Sequence, residues 1–338
     1  MNEKNLIDFR KIKQAILDEP IPMHMKNWFY ALGVTPFILF IFLVLTGILL
    51  TIYYVPSPEL VYKSVKYITE EVRLGFWIRG LHRWGSNLMV VAVFLHMVRV
   101  FFTRAYRRPR ELNWIIGVLM FFITLGLCFT GYSLIYDQLS YWATTVGTNM
   151  IKEIPIFGSL FLHLLRGGEI VSVNKLTRFF NLHVIFLPTS LLMLIALHII
   201  LVRVHGVSQL EGIEDDEVYK FYPEHVYHGA IIALFLLTVM SALTVVLPPG
   251  IGEPADPNVT PLHIKPEWYF FAIYFVLKYV PLKLGITLML IFLIIMTFWP
   301  FIDELLRKKF PQVKWHYILG SIVILLFLIF TVYETVSY

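Results

Sequence analysis

Seven apolar runs, each about long enough to cross a bilayer, restrict this chain to very few folds. They cover approximately residues 31–55, 80–102, 114–136, 180–202, 228–247, 284–302 and 317–335. In hydrocarbon every backbone amide must be satisfied within a helix or a closed barrel. The runs are continuous and do not alternate, which predicts helices and not strands. The expected fold class is all-α, a polytopic transmembrane bundle of seven spans. Composition agrees, with 58% apolar and 15% charged residues. A soluble domain carries roughly a quarter charged residues. This excludes a soluble enzyme, a disordered protein and a disulfide-stapled secreted module. The single cysteine, Cys128, allows no internal disulfide and no all-thiolate metal site. There is no Cys-x-x-Cys-His sequence for covalent haem attachment. Residues 1–27 are polar and mixed in charge, unlike a signal peptide. Asp8, Ala15 and Ile16 suit a short helix on the membrane surface.

The net charge of +5 reads as positive cytoplasmic loops and not as nucleic-acid affinity. With a cytoplasmic N-terminus, the inner segments hold fifteen Lys and Arg residues against eleven outside. Arg104, Arg107, Arg108 and Arg110 between the second and third spans are the clearest signal. The acidic stretch around Glu211, Glu214, Asp215, Asp216 and Glu217 opposes it in net charge, but acidic residues weigh little in this rule. The expected location is the cell membrane, multi-pass, with the N-terminus in the cytoplasm.

Two outer loops are long enough to be functional. One joins the third and fourth spans and contains Trp142, Pro155, Gly167 and Gly168. The other contains PPGIGEPADP and then PEWYFFAIYFVL. The second apolar stretch is too short to span after Pro266, which predicts a re-entrant or interfacial helix. The expected organisation is an N-terminal cytoplasmic or interfacial segment (1–30), a four-span domain (31–205), a linker (206–227) and a three-span domain (228–338).

Four histidines suggest the chemistry. His82 and His96 lie 14 positions apart on the second span, and His183 and His198 lie 15 apart on the fourth. Helical geometry puts each pair within about 60° of one face and about 21–22 Å apart along the axis. Both spans run in the same direction, so His82 can meet His183 at one depth and His96 can meet His198 at another. Ionisable groups in hydrocarbon are costly and mark function. Neutral imidazole is a good axial ligand for haem iron, and facing helices can hold a porphyrin. The spacing therefore predicts two bis-histidine haem b groups in a four-helix core, stacked across the bilayer. A packed, hydrogen-bonded structural role is the alternative for any single membrane histidine.

Gly33 and Gly47 on the first span, and Gly117 and Gly131 on the third, repeat the 14-residue period. A glycine lets a flat ring approach the backbone, so a haem-edge contact is expected. Ordinary small-residue helix contact is the alternative. Arg79, Arg83, Arg99 and Arg178 sit within about a turn of a histidine. Arginine there can pair with haem propionates or snorkel to headgroups. The propionate role is favoured for Arg79, Arg99 and Arg178.

The chain resembles cytochrome b of the quinol-oxidising cytochrome bc complexes, in particular cytochrome b6 fused to subunit IV. IRGLHRW, RRPREL, TGYS, LLRGG, LTRFFNLH and the histidine pairs carry the first half of the resemblance. IGEPADP and TPLHIKPEWYFF carry the second. The resemblance implies that His82 and His183 ligate the haem on the quinol-oxidation side, and His96 and His198 the haem on the cytoplasmic side. It implies that Glu267 takes a proton from quinol at the outer site. Tyr132, Trp142, Ala143, Pro266 and Tyr269 would line that pocket, with the long loop after the third span as its lid. The chemistry of a carboxylate there is two-sided, because an apolar pocket favours its neutral form and a helix N-terminus its anion. The resemblance also implies an iron–sulfur Rieske partner, a cytochrome c-type subunit, quinone at an inner site and a homodimer of the complex. One electron of each quinol would go to the Rieske protein and the other across the bilayer, coupled to proton translocation.

Two departures stand out. Ala31 occupies the place of the cysteine that tethers an extra haem in b6-type proteins, so no covalent haem c is expected on this chain. Ile135 and Tyr136 replace the family's Pro-Trp after TGYSL, which would relax the end of the third span. His24, His163, His205, His225, His228, His263 and His316 read as interfacial or structural. His205, Lys220 and Asp216 are weaker candidates for the inner quinone pocket. One rival is a di-haem anchor linking a hydrogenase or dehydrogenase to quinone, which PEWY and the long loop disfavour. The other is a haem-free transporter or channel.

Overall fold

The computed structural model describes residues 17–167, 173–208, 217–262 and 264–337. The surface helix expected at Asp8–Ile16, and Gly168, Asp216 and His263, lie outside the described residues. Thirteen helices are described: α1 (Trp28–Thr51), α2 (Val61–Glu70), α3 (Gly75–Phe102), α4 (Glu111–Ser133), α5 (Gln138–Lys152), α6 (Gly158–Arg166), α7 (Val173–Asn181), α8 (Leu187–His205), α9 (Val226–Val246), α10 (Phe271–Tyr279), α11 (Leu282–Thr297), α12 (Trp299–Lys309) and α13 (Trp315–Val336). Short 3₁₀ and π-helical turns complete the helical structure.

Six helical stretches are long and apolar enough to cross a membrane among the described residues: Phe29–Thr51, Gly75–Phe102, Glu111–Ser133, Lys175–His205, Phe221–Val246 and Trp315–Val336. The seventh is α11 together with α12, bent by 73° between them. The span expected over 284–302 thus ends at Thr297. Pro300, with no N–H to donate, falls in the first turn of α12, where it is tolerated, and Phe298 has left helical geometry. The charged sequence of α12 turns Asp303 inward, where Arg107 meets it at 3.4 Å.

α3 is the hub, packed against α1, α4 and α9, and α9 also touches α1. Leu39, Phe40, Leu81, Met89, Leu191, Leu236 and Met240 form the core between these spans. Gly80 and Gly85 on α3 let α9 approach, with Thr244 and Met240 where a Cβ would stand. Ahead of α1, β1 (Pro20–Pro22) and β2 (Val218–Lys220) pair antiparallel. Lys26–Glu224 at 3.0 Å ties the N-terminal segment to the stretch before α9, and Arg203–Glu19 at 2.8 Å ties it to the end of α8.

The long loop after the third span is largely helical. α5 and α6 form a hairpin, held where Arg166 donates to Thr148 Oγ1 at 2.7 Å and Asn149 Oδ1 at 2.9 Å. α6 stops at Gly167, whose φ of 78° suits glycine. Asp137 caps α5 by accepting from Ser140 N at 2.8 Å, and also accepts from Gly252 N at 3.1 Å in the PPGIGEPADP loop. Gln138 adds three hydrogen bonds to that loop, from its N to Glu253 O, from Nε2 to Val259 O and at Oε1 from Asp256 N. The two long loops therefore lie on one side and clasp each other. Tyr136, beside the clasp, takes a left-handed φ of 59° just past the end of α4.

Asp137→Ala removes the cap and one strut of the clasp. A lost N-cap costs about 1 kcal/mol. Amide hydrogen exchange is expected to quicken over the first turn of α5 and over residues 250–256, with the spans unchanged. Unaltered exchange in both segments would contradict this role.

Candidate functional site

The two histidine pairs meet as their spacing predicts. The His82 and His183 rings lie 6.1 Å apart, and the His96 and His198 rings 6.4 Å apart. The planes within each pair are inclined at 75° and 73°. α3 supplies one member of each pair. The fourth span supplies the others, and it is not a regular helix. Leu182–Phe186 is a π-helical turn containing His183, and Leu187 N reaches back to Leu182 O. Pro188 explains the widening, since its ring displaces the carbonyl four residues earlier.

The four glycines have more specific neighbours than a ligand edge. A Cβ on Gly47 would stand 3.3 Å from His82 Cε1, and on Gly131 2.6 Å from His183 Cε1. On Gly33 it would be 3.6 Å from His96 Cε1, and on Gly117 4.0 Å from His198 Cε1. Each histidine thus brings its Cε1 up to one glycine of a neighbouring helix. Two threonines orient rings as well. His82 Nδ1 is 2.9 Å from Thr46 Oγ1, and His183 Nδ1 is 3.1 Å from Thr130 Oγ1. The hydroxyls already donate to carbonyls of their own helices. The imidazoles are therefore the donors, and each keeps an Nε2 lone pair for a ligand.

A cavity of about 550 Å³ opens beside His82 and His183, bordered by Gly47, Gly131, Arg79, Arg83, Tyr132 and Tyr269. Among the described residues no group of three or more His, Cys, Asp or Glu could hold a bare metal ion. Two imidazoles do complete the axial positions of an iron already held by a porphyrin. The paired donors, the free Nε2 lone pairs and the glycine cradles fit haem b.

The arginines go to different partners. Arg79 lines the cavity and donates to Pro249 O and Gly250 O, both at 2.8 Å. Arg83 lines it and pairs with Glu267 Oε2 at 2.7 Å. Arg99 stacks its guanidinium over Tyr30 at 4.9 Å, near His96. Arg178 does not border this cavity; it caps α6 through His163 O and Leu164 O at 3.0 and 2.8 Å.

The PEWY segment folds as expected for a short non-spanning element. Trp268–Phe270 is a 3₁₀ turn leading into α10, only nine residues long. Trp268 Nε1 donates to Asn87 Oδ1 at 2.7 Å, and Tyr269 packs with Val90, Leu125 and Cys128. Glu267, Arg83, Tyr132 and Tyr269 are close enough to interact electrostatically. Pro266 is half-buried ahead of them. Trp142 and Ala143 lie on α5 outside the cavity lining, Ala143 buried and Trp142 with a buried, unpartnered indole N–H.

Sequence reasoning missed Thr46 and Thr130. The available signal was the Thr-Gly dipeptide shared by the first and third spans. It also missed the clamp on PEWY from the last span. Lys265 Nζ donates to Glu334 O at 2.7 Å and to Ser337 O, while Lys278 Nζ meets the buried Glu334 carboxylate at 3.5 Å. Phe275 stacks on Phe330 at 4.3 Å between these contacts.

Comparisons with known proteins agree across the chain. The family model described as cytochrome b/b6/petB matches residues 16–206. The model for the cytochrome b C-terminal/b6/petD region matches residues 254–337. The chain is 35% identical over 340 aligned residues to the cytochrome bc complex cytochrome b subunit of Chlorobaculum thiosulfatiphilum, covering 97% of this chain and 77% of that protein. It is 43% identical over 209 residues to the menaquinol:cytochrome c reductase cytochrome b subunit of Bacillus subtilis (strain 168), covering 60% of this chain and 93% of that one. A solved structure titled hyperthermophilic respiratory Complex III superposes with a TM-score of 0.85 at 29% identity, covering 98% of this chain and 89% of its own. A multi-pass membrane protein with these matches belongs to the cytochrome b/b6 family, as a cytochrome b subunit of a bc-type electron-transport complex.

Proposed function

We propose that this chain is the di-haem core of a proton-translocating quinol:cytochrome c oxidoreductase, with His82 and His183 ligating one haem b and His96 and His198 the other. The observation that carries this reading is the pair of imidazole couples, 6.1 and 6.4 Å between rings, at two levels of the same two spans. Held by these histidines, haem b would supply one-electron carriage between the two levels, the chemistry that dividing the two electrons of a quinol between an inner quinone and an iron–sulfur partner requires. The name of the Bacillus relative, a menaquinol:cytochrome c reductase subunit, supports quinol as donor and a c-type cytochrome as acceptor. The partners are a Rieske protein, a cytochrome c-type subunit and a second copy of the complex, with the N-terminus in the cytoplasm. The four-span region 31–205 serves the haems, and 228–338 brings the quinol-site segment to them.

The chain's own residues account for the proton chemistry. Glu267 follows Pro266 and precedes the 3₁₀ turn, so its carboxylate is held at a fixed point near the cavity. Arg83, 2.7 Å away, offsets the cost of a carboxylate in a half-buried place. The anion is the form that can take a quinol hydroxyl proton. Tyr132 and Tyr269, within electrostatic reach of Glu267, would line the quinol side of the site. Arg79 borders that cavity and would meet the propionates of a haem there, Arg83 being engaged by Glu267; Arg99 serves the other level. Trp142 and Ala143 belong to the lid helix.

Glu267→Gln is expected to slow quinol oxidation by roughly a hundredfold, the usual scale for a lost general base, while both haems still assemble. Unchanged turnover would defeat the proton-acceptor role. The glycine cradles give a graded test. Gly131→Ala places a methyl 2.6 Å from His183 and should cost most of one haem, whereas Gly117→Ala, at 4.0 Å from His198, should keep both. Haem per chain, measured as the pyridine haemochrome, decides it; equal retention in the two variants would contradict the cradle. Ala31 predicts a second negative result, no haem-stained band at this subunit's mass on a denaturing gel.

A further inference from the structure

α10 and α13 meet along matching stripes. Phe275, Lys278 and Tyr279 on α10, and Phe330, Tyr333 and Glu334 on α13, are each spaced i, i+3, i+4, so each trio shares one face of its helix. Phe275 stacks on Phe330 with centroids 4.3 Å apart, and Tyr279 Oη donates to Tyr333 Oη at 3.3 Å. Lys278 Nζ stands 3.5 Å from both carboxylate oxygens of Glu334. Glu334 is the only acidic residue of α13, and it is fully buried. A carboxylate buried at the end of an apolar span is costly and marks function. Ser337 Oγ donates to it at 3.1 Å. Lys265 reaches the same turn of α13 from the other end of the PEWY segment. Its ammonium donates to Glu334 O and Ser337 O. It thereby takes up carbonyls that a helix end leaves without intrahelical donors, and meets the negative end of the helix dipole.

We propose that Glu334 and Lys265 are positioning residues for quinol oxidation, through which the last span sets the place of the Glu267 carboxylate. This rests on the proton-acceptor reading of Glu267 above. Lys265 and Lys278 bracket PEWY, two residues before Glu267 and eleven after it. The other side of the segment is held by α3. There Arg83 pairs with Glu267 at 2.7 Å, and Asn87, one turn on, accepts from Trp268 Nε1 at 2.7 Å. α3 thus fixes the side chains and α13 the backbone that carries them. The contacts from α3 alone leave the carboxylate free to follow the long Arg83 side chain. A general base has to stand within hydrogen-bond reach of the proton it takes, and an ångström of misplacement can cost about a hundredfold in rate. A clamp that served stability alone would act differently. It would change how much complex assembles, and leave the turnover of each assembled complex as it was.

The test is steady-state quinol oxidation by the intact complex, with turnover counted per assembled haem-bearing complex. Glu334→Gln keeps the shape of the side chain and removes its charge. It should lower kcat about tenfold, within the range that misplacement can cost, and leave the quinol KM and the haem content as in wild type. Lys265→Met should do the same, and Lys265→Arg should restore the rate. The exchanged pair Lys278→Glu with Glu334→Lys should recover most of the kcat that Glu334→Gln loses. Residues that act through one group are not additive. Glu267→Gln combined with Glu334→Gln should therefore be no slower than Glu267→Gln alone. Lys265→Met and the exchanged pair keep the proposal testable if Glu334→Gln fails to assemble. Unchanged kcat in the assembled variants would overturn the inference. So would a loss confined to KM, or a double variant slowed by the product of the two single effects. Full turnover in Glu267→Gln alone would instead defeat the proton-acceptor reading.

Discussion

An imidazole buried among apolar helices needs room beside a neighbouring backbone, an acceptor for its N–H and a use for its remaining lone pair. The structure meets the first need at His82, His96, His183 and His198, and the second at His82 and His183 through Thr46 and Thr130. Room comes from Gly47, Gly33, Gly131 and Gly117 on the adjacent helices. These contacts draw α1 onto α3 and α4 onto α8, so the ring positions and the helix packing are one constraint. The two rings of each pair stand about 6 Å apart between centroids. A buried imidazole nitrogen without a partner costs free energy, which a ligand held between the rings would offset.

The second half of the chain is built to present a carboxylate to the first. α9 docks on α3 through Gly80 and Gly85. The PPGIGEPADP loop is then fastened to the start of α5 by Asp137 and Gln138. PEWY follows, clamped from behind by the Lys265 and Lys278 contacts to Glu334 of α13. With both ends of the segment held on one residue of the last span, Glu267 reaches Arg83, the residue next to His82. A substitution at Glu334, far along the chain, therefore bears on the same segment as one at Glu267.

Much of this was legible in the sequence because it depends on local periodicity. Hydropathy located the spans, and the 14- and 15-residue intervals brought the histidines together in the right pairs. The missed features depend on long-range contact or on chemistry that hydropathy does not register. α2, α5 and α6 are short and amphipathic, so they carry no span signal. Pro300 was visible, yet the apolar run continued through it, and the 73° bend depends on α12 finding a charged partner in Arg107. Thr46 and Thr130 looked like ordinary membrane threonines until the rings stood beside them. Glu334 had no sequence neighbour to mark it. Arg178 lies close to His183 in sequence, but the irregular start of the fourth span carries it to the end of α6.

The most direct measurement is optical: the haem content and reduced spectrum of the purified chain, before and after carbon monoxide. Two axial imidazoles close both open positions of each iron. The account predicts two b-type haems per chain and a reduced spectrum that carbon monoxide leaves unchanged. A colourless chain, a single haem, or a spectrum that shifts with carbon monoxide would contradict it.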